Sequence, residues 1–234
     1  MSKFLILLEL NTSPFGLINI MKPSKKTKVK RAPKRGFYDT ETVYKILDTN
    51  FICQVAFVYE GYPVVIPTIY TRKNNSLYLH GASVSRMLVA LEKGIPISIN
   101  VTKTTGIVLA RSAFHHSLNY ESVTIFGNAK LVTDQNERLE TLKCISDQII
   151  PNRWNEVRLP SEKELKATKI VKIPISEASA KIRTGPPIDD KEDYNLPIWA
   201  GILPINTTYG APISDPKLSA EIPLSKSISE LIKL

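Results

Sequence analysis

Apolar and polar positions change period several times along this chain, and each change marks an element. After Asp39-Thr40-Glu41, Val43, Ile46 and Leu47 recur at helical spacing, so a short amphipathic helix opens there. Phe51 to Tyr59 is rich in β-branched and aromatic residues and predicts a strand. Glu60-Gly61-Tyr62-Pro63 is a turn. Val64 to Thr71 is the next strand, and Pro67, lacking an amide hydrogen, requires an edge or a bulge in it. A polar loop from Arg72 to Ser76 leads to a strand over Leu77–His80. Ser83 or Ser85 can cap the helix that follows. Its inner face takes Val84, Met87, Leu88 and Leu91, and Gly94 ends it. Ile95–Val101, Ile107–Phe114 and Glu121–Val132 predict three more strands. Asp134 caps a helix from Gln135 to Ile149 with Leu139, Leu142, Cys144, Ile145 and Ile149 inward, a second short helix covers Ser161–Thr168, and Lys169–Arg183 returns to strand. Strands and helices do not alternate as regular βαβ units. The pattern favours an antiparallel barrel, mainly β, with helices packed outside.

Composition refines this picture. At 234 residues, 43% hydrophobic, the chain can build one substantial core. We expect a single domain over residues 37–234, whose proline- and glycine-rich end, from about Thr184, forms an arm or an active-site cover. The net charge of +9 is localised: eight of the 31 basic residues, Lys22 to Arg35, fall in a run without acids, and the rest of the chain balances its 22 acids to within one charge. Residues 1–36 therefore read as a basic, disordered tail, and a role in nucleic-acid association, nuclear import or contact with an acidic membrane would rest on that tail alone. Phe4–Leu8 is too short for a membrane span, and no small-residue cleavage site follows it. Either Met1 or Met21 can serve as the start. Cys53 and Cys144 are far apart and read as buried thiols in a reducing compartment. The cytoplasm is the default location, and the basic tail also permits the nucleus.

The chemistry-bearing residues concentrate between Leu77 and Val123. A strand delivers His80-Gly81-Ala82-Ser83-Val84-Ser85-Arg86 into a helix start, where hydroxyls, backbone N–H groups and a guanidinium suit a phosphate. His115 and His116 on a strand would point to opposite faces, and no acid or cysteine stands at metal spacing from them, so no metal site is expected. Trp199 either covers a planar ligand or staples the arm to the barrel, and packing is the commoner use of such a ring.

Taken in order, Leu47-Asp48, Ile66-Pro67-Thr68, Leu77 to Gly81, Ser85-Arg86-Met87, Gly106 to Ser117, Tyr120-x-Ser122-Val123, Lys181 to Pro187 and Trp199-x-Gly201 resemble the flavin-nucleotide-binding proteins related to pyridoxamine 5′-phosphate oxidase. The similarity is strongest to the branch of nitroimidazole-resistance-type reductases. The resemblance implies an FMN-binding split β-barrel, antiparallel and Greek-key-like with peripheral helices, and a homodimer with FMN at its interface. It implies that Pro67, Thr68 and Ile69 run along the flavin ring, that His80 and Gly81 border it, and that Ser85, Arg86 and Met87 surround the phosphate. Ser122 takes a polar flavin contact, Arg111, Ser112 and Tyr120 line the pocket, and Trp199 approaches from the partner subunit. His80 is the expected catalytic side chain, donating a proton or a hydrogen bond to a small-molecule substrate. Glu121 departs from the pattern, which leads one to expect arginine there. The basic pyridoxamine-phosphate site of the oxidase is not evident late in the chain, so the resemblance does not extend to vitamin B6 oxidation. Two other functions stay open: a flavin-binding carrier or sensor without turnover, and a haem-binding split barrel with His115 or His116 as axial ligand.

Overall fold

The computed structural model describes residues 20–233. Ten strands form one antiparallel sheet: β1 (Gly36–Phe37), β2 (Ile52–Tyr59), β3 (Tyr62–Lys73), β4 (Ser76–Ala82), β5 (Pro96–Leu109), β6 (Ser117–Asn128), β7 (Lys130–Leu131), β8 (Thr168–Pro174), β9 (Glu177–Arg183) and β10 (Gly201–Pro204). Their order is β1-β9-β6-β5-β2-β3-β4-β8-β7, with β10 added to the far end of β5. Five helices flank the sheet: α1 (Thr40–Asp48), α2 (Arg86–Leu91), α3 (Gln135–Ile149), α4 (Glu162–Ala167) and α5 (Lys226–Leu231). The expected split barrel with peripheral helices is the fold. Among the described residues no helix is long and apolar enough to cross a membrane.

Local chemistry accounts for the elements that frame the site. The Asp39 carboxylate accepts a hydrogen bond from the Thr42 amide at 2.8 Å, capping α1, and Val43, Ile46 and Leu47 on its inner face are fully packed. Glu60 and Gly61 both have positive φ, the two-residue turn that matches the twist of the β2–β3 hairpin. In α4, Ser161 and Glu164 form a capping box. One core is shared by both halves of the sheet, with Val55 (β2), Leu79 (β4), Ile99 (β5), Ile125 (β6) and Ile173 (β8) in contact.

Several expectations change. The two strands expected at Ile95–Val101 and Ile107–Phe114 are the single long β5, whose register shifts between Thr104 and Gly106. Of the polar residues between them Thr102 and Lys103 are exposed and Thr104 and Thr105 half-buried, a stretch that a sequence pattern reads as a loop. Val84 precedes α2 and is exposed rather than inward. Only Thr141 and Ile145 of α3 are buried; Leu139 is exposed.

Residues 20–36 are not a free tail. Thr27 is buried, the Val29 amide donates to the Tyr38 hydroxyl at 2.8 Å, and Lys26 pairs with Glu177 at 2.9 Å. Backbone and aliphatic groups can dock such a segment while its charged ends stay in water. Residues 1–19, including Phe4–Leu8 and the first candidate start, lie outside the described residues. Cys53 is buried and Cys144 partly so; burial pushes the Cys53 thiol up to about 12.

Candidate functional site

The sheet forks at β3. From Ile52↔Ile69 to Tyr59↔Tyr62 this strand pairs with β2, and from Tyr70↔Leu79 onward with β4. One step further the register would set Ile69 against His80 and Thr68 against Gly81, but no such pairs form. Along its other edge β4 stays paired with β8 throughout, His80↔Ile170 and Gly81↔Lys169 included. Pro67, Thr68 and Ile69 thus line one arm of the fork, and His80 and Gly81 the other. Pro67 sits on the open edge, where its missing N–H costs nothing. A slot between two diverging strands admits a flat ring.

The turn after His80 brings α2 close. A Cβ on Gly81 would stand 3.2 Å from Leu88 Cδ1. Ser85 is the N-cap residue of α2, yet its hydroxyl makes no capping hydrogen bond and is free for another acceptor. The Arg86 guanidinium lies 5.4 Å from the centre of the Tyr59 ring. Met87 corrects the expectation: its side chain is turned into the core, so only its backbone is available to a phosphate.

Alternation along β4 divides its side chains. Leu77 and Leu79 enter the main core, whereas Tyr78 and His80 face the region under α3. The Tyr78 hydroxyl donates to Glu137 at 2.9 Å, and that carboxylate also accepts from Lys172 at 2.9 Å. No hydrogen bond reaches either ring nitrogen of His80 among the described residues, and Nδ1 is wholly buried. Burial lowers the pKa of this imidazole and keeps it neutral. His80 borders a cavity of about 450 Å³ walled by Leu142, Ile145, Trp154 and Pro160, with Arg158 at its rim. Arg158 is held in a two-pronged contact with Glu164, at 2.7 and 2.9 Å. Sequence reasoning missed Trp154 and Arg158, which lie without periodicity between Pro151 and Pro160. The capping box at Ser161 was the one signal that α4 would fold back beside them.

The remaining expected residues gather elsewhere. Asp189, buried, accepts from the Arg111 amide at 3.0 Å, the Arg111 guanidinium at 3.1 Å and the Ser112 amide at 3.3 Å. Arg111 and Ser112 thereby fasten the C-terminal segment to the end of β5. The His116 Nδ1 accepts from the Ala110 amide at 3.0 Å, and His115 Nε2 lies 3.3 Å from Asp190. Tyr120 and Ser122 share one face of β6; the Ser122 hydroxyl donates to Lys181 O at 3.2 Å. Glu121, the departure from the pattern, falls on the opposite face. Trp199 is 68% exposed, so it is no staple; its ring lies over Gly201, where a Cβ would meet it at 2.9 Å.

Residues 39–182 match the family described as pyridoxamine 5′-phosphate oxidase. Among solved structures, the flavocytochrome Anf3 from Azotobacter vinelandii is 39% identical, with a TM-score of 0.84 over 89% of this chain and 97% of that one. The FAD and heme binding protein from Mycobacterium smegmatis is 36% identical, with a TM-score of 0.81 over 84% of this chain and 97% of that one. A candidate 5-nitroimidazole antibiotic resistance protein from Bacteroides thetaiotaomicron shares the fold at 22% identity, with a TM-score of 0.51 over 63% of this chain and 86% of that one. No curated protein matches the chain. The forked sheet, the ordered motifs along it and these matches agree: the chain belongs to the pyridoxamine 5′-phosphate oxidase family of split-barrel flavoproteins.

Proposed function

We propose that this protein is a flavin-dependent oxidoreductase that works as a homodimer, with FMN as the smallest sufficient cofactor and a small molecule as substrate. The observation that carries the reading is the fork, where β3 changes partner from β2 to β4 at Ile69–Tyr70, so that Pro67, Thr68 and Ile69 diverge from His80 and Gly81, and β4 leads on to the uncapped Ser85 hydroxyl and Arg86. These residues fit a flavin nucleotide: a slot for the ring and a hydroxyl and a guanidinium for the phosphate. The flavin supplies hydride and electron transfer when bound. The chain's own part is to hold the ring between the two arms and to seat the phosphate, with the neutral His80 imidazole turned to the α3 side of β4. Ile198, Trp199, Leu203, Tyr209 and Ile213 are all exposed in the single chain. So much apolar surface on one segment supports burial against a second copy, bringing Trp199 toward its flavin. The test is reconstitution with FMN followed by anaerobic reduction and reoxidation. Defined turnover that falls in His80→Asn supports an enzyme. Tight FMN binding without reoxidation by any small-molecule acceptor would leave a carrier or sensor.

A second reading adds haem, and His80 favours it. A neutral imidazole without a hydrogen-bond partner, beside a cavity whose walls include Leu142, Ile145, Trp154 and Pro160, fits an iron ligand. The two relatives with the highest identity given above are described as a flavocytochrome and as an FAD and heme binding protein. His115 and His116 are displaced from the role expected of them. The amide bond to His116 Nδ1 leaves the ring proton on Nε2, and His115 Nε2 is engaged with Asp190. Haem added to the apoprotein should give a shifted Soret band in the wild type and in His116→Gln but not in His80→Ala.

A further inference from the structure

The basic run Lys22–Arg35 is not used by the function above, and the fold gives it a defined place. The Met21 amide donates to Tyr38 O at 2.9 Å, the Lys28 amide to Ser24 O at 3.0 Å, and the Val29 amide to the Tyr38 hydroxyl at 2.8 Å. Residues 26–31 lie against the outer face of β6 and β9, beside Ser122, Thr124 and Ser179. Gly36 permits the close approach, since a Cβ there would stand 2.9 Å from Val29 Cβ. The backbone of the run is thus fixed while its side chains reach water. Lys22, Lys25, Lys28, Lys30, Arg31 and Lys34 are all exposed. Glu177, 2.9 Å from Lys26, is the one carboxylate that pairs with the run among the described residues. Cations on a fixed backbone concentrate positive potential and lose little freedom when an anionic surface meets them. Apolar groups adjoin this charge. Ile20, which bridges Asp39 directly before the run, is 67% exposed, and Phe37 after it is 37% exposed. Further back in the sequence, positions 4–18 hold nine Leu, Ile and Phe residues and a single charge, Glu9. A nucleic-acid backbone gives such groups no apolar surroundings. The headgroup–acyl boundary of a bilayer takes both kinds, the apolar side chains inward and the cations among the headgroups.

We propose that the run Lys22–Lys34, with Ile20 and the apolar residues before it, docks this protein on an anionic lipid bilayer. The lysines meet the headgroups and the apolar side chains enter the boundary beneath them. One such signal alone holds a protein weakly, and the two together hold it stably. Sedimentation of the full-length protein with vesicles tests the docking, with phosphatidylcholine alone set against two parts phosphatidylcholine to one part phosphatidylserine. The mixed vesicles should bind at least about tenfold more tightly than phosphatidylcholine alone. Each cation near such a surface strengthens binding about fivefold, so Lys28→Ala/Lys30→Ala/Arg31→Ala should bind the mixed vesicles about a hundredfold more weakly. Its urea midpoint should match the wild type's, because all three side chains are exposed. Leu5→Ser/Leu7→Ser should lose the part of the binding that survives about 1 M salt, where the Debye length is only about 3 Å. A wild type that ignores phosphatidylserine would overturn the proposal, as would either variant binding the mixed vesicles as the wild type does. A short DNA duplex that the wild type binds and the triple variant does not, with neither protein sedimenting with vesicles, would overturn it in favour of a nucleic-acid surface.

Discussion

The two faces of β4 carry opposite assignments. On one face Leu77 and Leu79 are fully buried in the shared core, touching side chains from both halves of the sheet. On the other, Tyr78 leans on a small cluster with Val132, Ile170 and Leu142, and His80 borders a cavity with no partner for its nitrogens. The strand is the same and only the side-chain parity differs. One face collects packing energy; the other leaves a polar group unsatisfied, which folding alone does not reward. An orphaned buried nitrogen beside a cavity is where a ligand has most to offer.

The comparison is easiest to break from the packed face. Leu79→Ala should cost about 2–5 kcal/mol, the range for a buried leucine in a core that cannot collapse, read as a lowered urea midpoint with unchanged slope. Tyr78→Phe, on the other face, should cost about 1 kcal/mol, since one hydrogen bond to Glu137 is lost while that carboxylate keeps Lys172. His80→Leu should leave stability at neutral pH unchanged or slightly raised, because it removes an unpartnered polar atom. Its effect is sharpened by pH. Unfolded, a histidine titrates near about 6.5; folded, His80 does so lower because burial disfavours its charged form. Between those two values the unfolded chain binds the extra proton, so wild-type stability falls as pH drops below the unfolded value. Denaturation at pH 7 and pH 5 should show His80→Leu gaining on the wild type at the acid end. An equal difference at both would mean that His80 is solvated in the fold.

Much of the packed face was legible in the sequence. Helix α1 announced itself by Val43, Ile46 and Leu47 behind an acidic cap, and the β2–β3 hairpin by its turn. Around the site, His80-Gly81 and Ser85-Arg86 were legible because their motif is local. The fork was not, because it depends on β3 changing partner from β2 to β4 at Tyr70 while β4 is held along its other edge by β8, a strand some ninety residues later. The cavity was hidden for the same reason: Leu142 and Ile145 come from α3, Trp154 and Arg158 from an aperiodic stretch, and only tertiary packing brings them to His80. The ordering of residues 26–31 was masked by composition, since a run of lysines reads as solvated whatever its backbone does.

The account stands or falls on what His80 meets. The visible absorption spectrum of the purified wild type beside His80→Ala, with released cofactors identified, tests it most directly. The account predicts a flavin in both proteins, and a haem band after haem addition in the wild type alone. A colourless wild type that takes up neither flavin nor haem, or a His80→Ala spectrum identical to the wild type's in every band, would contradict it.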